Sequence, residues 1–129
     1  MKILLALMDG QSMAAVADYA AALGHEVDCA DSDDIAERNA RFRAYDAVLC
    51  DASFNGSSCL EGLRVARAAK RRNKSTRVIV LATRLSSMLV QKTLASGIAD
   101  AILIKPQPLP LIFDRIANHD RIALTAAST

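Results

Sequence analysis

Five short apolar runs constrain this chain more than any other feature: Ile3 to Met8, Glu26 to Ala30, Ala47 to Cys50, Val78 to Ala82 and Ala101 to Ile104. Most are continuous rather than alternating, which is how strands covered on both faces read. The segments between them carry helical spacing instead. Met13, Val16, Ala17, Ala20 and Leu23 form an i, i+3, i+4, i+7 stripe, with Ser12 as the expected N-cap and Gly24 as the stop. Asp33 to Ala44 reads as a solvated helix with a thin apolar seam at Ile35 and Phe42. Further helices are expected at about 60–72, 86–96 and 111–118, the last entered through Pro108 and Pro110.

Alternating strands and helices argue for a parallel sheet with right-handed crossovers. Five such units fit the doubly wound α/β class, a five-stranded parallel sheet of order 2-1-3-4-5 with a flavodoxin-like arrangement. A chain of 129 residues suits one domain. The expected division is a domain over 1–120 and a frayed tail over 121–129.

Composition removes several classes of function. A formal net charge of +2 gives no general attraction to nucleic acid or membrane. Trp is absent and aromatics are scarce, so a base-stacking platform is not expected. The basic run Lys70-Arg71-Arg72-Asn73-Lys74 reads as a solvated helix end, where cations are favoured. Cys29, Cys50 and Cys59 are unpaired by spacing and read as buried thiols of a reducing cytoplasm. The apolar run after Lys2 is too short to cross a bilayer or to act as a signal peptide. Neither GxGxxG nor a Walker A lysine-serine pair is present, which counts against a nucleotide-binding or flavodoxin-like enzyme.

In this architecture chemistry sits at the carboxyl ends of the strands. Those ends carry Asp9, Asp51, Ala82-Thr83 and Lys105-Pro106. A carboxylate can attack a phosphoryl group. The charge on that group calls for cations and donors around its oxygens, which a lysine, a hydroxyl and a carboxylate-held Mg²⁺ would supply. Taken singly, Asp51 reads equally as a loop-capping strand end, and Asp9 as a cap for the first helix.

Several segments together resemble the receiver domain of two-component response regulators. Tyr45-Asp46-Ala47-Val48-Leu49-Cys50-Asp51 is similar to that family's third strand, which ends on the phosphorylated Asp. Ile102-Leu103-Ile104-Lys105-Pro106 is similar to its fifth strand and Lys-Pro signature, whose peptide bond is often cis, making Pro106 a cis-proline candidate. Ser96 to Asp100 resembles its approach to strand 5 with one additional residue, and Gly62-Leu63 and Val78 to Thr83 resemble the start of its third helix and its switch strand. The resemblance spans about residues 2 to 118. It implies Asp51 as phosphoacceptor and Lys105 and Thr83 as phosphate-binding residues. It places Mg²⁺ on Asp9, Asp51 and the Ser53 backbone carbonyl. It also implies a histidine kinase or phosphotransfer protein as donor. Output would pass by protein contact through the face formed by the helix over 86–96, strand 5 and the last helix. No catalytic turnover is implied beyond slow self-dephosphorylation.

The sequence also departs from that pattern. Leu7 and Met8 stand where the family carries an acidic pair, which weakens the expected Mg²⁺ site. Ala82 stands at the usual switch hydroxyl, with Thr83 one place later, and strand 5 lacks an aromatic switch residue. The loop after Asp51 lacks the usual Pro and is about three residues longer than is typical of the family. These departures motivate an alternative: a phosphorylation-independent pseudo-receiver that serves as a protein-binding module.

Overall fold

The apolar runs become five strands: β1 (Lys2–Ala6), β2 (Glu26–Cys29), β3 (Ala47–Asp51), β4 (Arg77–Ala82) and β5 (Ala101–Ile104). A computed structural model describes residues 1–7, 9–51, 59–82, 95–104 and 107–117. The strands pair in parallel in the order β2-β1-β3-β4-β5, as the sequence implied. The crossovers supply α1 (Gly10–Ala22), α2 (Asp33–Phe42) and α3 (Cys59–Arg72), and α4 (Leu109–Ala117) follows β5.

Period-two alternation along each strand divides the core into two layers. Ile3, Leu5, Leu49, Ile79 and Leu103 face α1 and α4, where they meet Val16, Ala20, Ile112 and Phe113. Leu4, Val48, Val80 and Ile102 face α2 and α3, where they meet Ala36, Ala40, Val65 and Ala66. Central strands are buried on both sides, which is why their sequence lacks alternation. The edge strand β2 is not, and its Cys29 is exposed. The expectation of uniformly buried thiols therefore fails at Cys29 and holds at Cys50.

Of the two caps the sequence offers for α1, Asp9 and Ser12, the structure takes Asp9: its carboxylate accepts from the Gln11 backbone N–H, and Ser12 lies inside the first turn. The seam expected at Ile35 and Phe42 is instead exposed, with Phe42 69% accessible. Ala36 and Ala40 carry the buried stripe of α2, because the helix packs close to β1 and to α3 and only small side chains fit. Gly24 does end α1, with a left-handed φ of 89° that a side chain would strain.

The start of β4 is tied to α3 through Asp100, the residue before β5. Asp100 Oδ2 accepts from the Val78 backbone N–H at 2.8 Å and from Lys70 Nζ of α3 at 2.8 Å. Gly97, at φ 78°, turns the chain toward this point. The expected domain boundary at 120 lies outside the described residues, as does most of the helix expected over 86–96.

Candidate functional site

Asp51 is the last residue of β3 and pairs in register with Leu81 of β4. Its neighbours Leu49 and Cys50 point to opposite core layers, and alternation puts Asp51 on the side of Leu49. There it opens onto a cleft of about 260 Å³ at the carboxyl edge of the sheet. Asp51 is only 3% exposed, one of two buried polar side chains among the described residues. Next to it, burial and then the Asp51 charge push the Cys50 thiol up to about 12, so this sulfur is inert at neutral pH.

Asp9 lines the same cleft. Its Oδ1 accepts from the Gln11 backbone N–H at 3.2 Å and its Oδ2 from the Ser12 hydroxyl at 2.8 Å. The carboxylate thus serves α1 and faces the Asp51 cavity at once. Leu7, at one of the positions where an acid was sought, is buried in the core layer with Val16 and Ile112. An apolar wall consequently stands where a further carboxylate would reach the cleft.

Gln107 closes the cleft from the loop after β5, and its Nε2 donates to the Ile104 carbonyl at 2.8 Å. Sequence reasoning missed it. The only signal was its place two residues beyond Lys105, on a loop at the carboxyl edge. Thr83, Ser53, Lys105 and Pro106 lie outside the described residues, as do residues 88–90, considered as an interaction face.

No protein-family model matches the sequence, and no curated protein matches it. Solved structures do match, and over nearly its whole length. The beryllofluoride-activated receiver domain of DrrB superposes with a TM-score of 0.77 at 21% identity, over 93% of this chain and 97% of that one. A two-component response regulator from Clostridium difficile gives a TM-score of 0.79 at 17% identity, over 94% and 96%. The response regulator TrrA from Thermotoga maritima, solved in complex with Mg²⁺ and beryllofluoride, gives 0.72 at 22% identity, over 92% and 97%. This chain has the receiver-domain fold.

The donor set can be tested against Mg²⁺ directly. This ion binds through one or two carboxylates and fills its remaining positions with water and phosphate oxygens. Asp9 and Asp51 on one cleft meet that minimum. No cluster of three or more metal-ligating side chains exists among the described residues, so an all-protein cage is not built here. No helix among the described residues is long and apolar enough to cross a membrane.

Proposed function

We propose that Asp51 accepts a phosphoryl group from a histidine kinase or a phosphotransfer protein in the cytoplasm, and that the signal leaves by protein contact. One observation carries this reading. The carboxylate at the end of β3 opens onto a carboxyl-edge cleft that it shares with a second carboxylate, Asp9. Ligands of doubly wound sheets bind at that edge.

In the proposed step an Asp51 oxygen attacks phosphorus of a phosphohistidine. The P–N bond breaks, its electron pair stays with the donor imidazole, and an acyl phosphate forms on Asp51. Asp9, Asp51 and the Ser53 carbonyl would hold Mg²⁺, which supplies charge neutralisation on the phosphoryl oxygens. Lys105 would pair with one of those oxygens, and the Thr83 hydroxyl would bond another. The burial of Asp51 limits water at the acyl phosphate and favours a lasting modification. The modified state would then shift a population between two arrangements of the face around β5 and α4.

Beryllofluoride with Mg²⁺ tests this reading by NMR. Shifts centred on the amides of Asp9, Asp51, Leu81 and Gln107 are expected. A spectrum unchanged at saturating reagent counts against it.

A second reading has its own support. Both Asp9 oxygens are engaged at the start of α1, and Leu7 is buried at a family acidic position. Under that reading the cleft binds no metal and the domain is a constitutive protein-binding module. A Mg²⁺ titration that leaves Asp9 and Asp51 unmoved favours it.

A further inference from the structure

The opposite face of the sheet carries a second concave site. α2 and α3 pack side by side, and a groove of about 450 Å³ runs between them. Among the described residues, five arginines line it, Arg41, Arg64, Arg67, Arg71 and Arg72, against a single carboxylate, Glu37. Its volume lies within the range of small-molecule sites, roughly 300–1,000 Å³.

Among the described residues, neutralisation inside the groove is incomplete. Glu37 is shared between Arg41, at 2.9 Å, and Arg64, which also approaches Asp34 at 3.5 Å. Arg67, Arg71 and Arg72 have no ion pair among the described residues. Arg67 and Arg71 stand one helical turn apart, a like-charge spacing that disfavours the helix. They also line a neighbouring groove between α3 and Ser96 to Ile98, together with Lys70 and Lys74. The two side chains thus form a cationic ridge between two concavities.

General explanations fall short. The helix dipole accounts for cations in the last turn, Lys70, Arg71 and Arg72. It does not account for Arg64 and Arg67, which lie before it. Nor is the protein basic overall, since its formal net charge is +2. Five of the 16 lysines and arginines nonetheless line this one groove.

We infer that the α2–α3 groove binds a compact ligand carrying two or more phosphate groups. Planar guanidinium forks match phosphate oxygens two at a time, and all five cations of the lining are arginines. No aromatic residue lines the groove among the described residues, so none of them stacks on a base there. Recognition would be of the phosphates themselves, as in inorganic tripolyphosphate or the triphosphate tail of a nucleotide. The site does not depend on Asp51, whose cleft belongs to the core layer of α1 and α4.

Calorimetric titration of the full chain tests it, with inorganic tripolyphosphate, ATP, a short single-stranded oligonucleotide and an oligoglutamate peptide as probes. Tripolyphosphate and ATP are expected to bind with similar micromolar-range constants. Binding should weaken with added salt and fall at least about tenfold in Arg67→Glu/Arg71→Glu. Arg38→Glu, off the groove, should stay within about twofold of wild type. If the reversal disturbs folding, Arg67→Gln/Arg71→Gln removes the same charges at little helix cost, and the same loss is expected. Equal binding by wild type and the ridge variants, or an equal loss in Arg38→Glu, overturns the site. An oligonucleotide more than about tenfold tighter than tripolyphosphate overturns the compact ligand. Oligoglutamate as tight as tripolyphosphate overturns the phosphate assignment.

Discussion

The Asp9 carboxylate lines the cleft of the buried Asp51 while both its oxygens accept hydrogen bonds from the first turn of α1, from Gln11 N–H and Ser12 Oγ. One side chain therefore caps a helix and faces a candidate phosphoacceptor. The two roles are separable, because capping needs an oxygen acceptor and Mg²⁺ needs negative charge.

Asn caps as well as Asp, so Asp9→Asn should unfold within about 0.5 kcal/mol of wild type, whereas Asp9→Ala should lose about 1 kcal/mol. Both should weaken Mg²⁺ binding at least about tenfold through loss of a carboxylate ligand. Urea denaturation and Mg²⁺ titration of the same samples give both numbers. An Asp9→Asn protein with wild-type Mg²⁺ affinity removes Asp9 from the metal site.

A second carboxylate links acid stability to β2. The Tyr45 hydroxyl donates to Asp28 Oδ2 at 2.6 Å, and Arg43 Nη1 does so at 3.1 Å. The Tyr45 hydrogen bond holds the Asp28 carboxyl below its ordinary value of 3.8; burial works against this and Arg43 reinforces it. A depressed pKa means the stabilisation is complete above the ordinary value and disappears as pH falls through the folded one. Tyr45→Phe should cost about 1–2 kcal/mol at neutral pH. That difference should narrow as the pH is taken below 3.8. Denaturation curves at neutral and acidic pH check it, and a difference independent of pH would be inconsistent with the assignment.

Asp100 holds β4 to α3 through the Val78 N–H and the Lys70 ammonium. Asp100→Ala orphans a backbone donor at a strand start and takes the ion pair from a half-buried ammonium, which keeps the Lys74 carbonyl at 3.3 Å, and should cost about 2–3 kcal/mol. Asp100→Asn keeps an acceptor for Val78 and should recover about half of that. Thermal unfolding of the two variants measures the difference, and equal losses would show that the charge alone matters.

Strand order and most strand limits are legible in the sequence because central parallel strands need continuous apolar runs, and Ala101–Ile104 matches β5 to the residue. The α2 seam is not legible. Large side chains weigh most in a periodicity reading, yet Ile35 and Phe42 face solvent and two alanines face the sheet. The cap of α1 is ambiguous because Asp9 and Ser12 are both capping residues three positions apart, and the structure joins them by a hydrogen bond. Asp51 and Asp9 are legible as strand-end carboxylates, since their cleft follows from chain order alone. The arginine groove is not, because Arg41 meets Arg64 only once α2 packs on α3, and no local pattern in the chain records that contact.

The most direct measurement is the intact mass of the protein after incubation with acetyl phosphate and Mg²⁺. Addition of one phosphoryl group to the wild type, and none to Asp51→Asn, is the predicted result. An unchanged wild-type mass, or a gain that survives in Asp51→Asn, contradicts the assignment of Asp51 as phosphoacceptor.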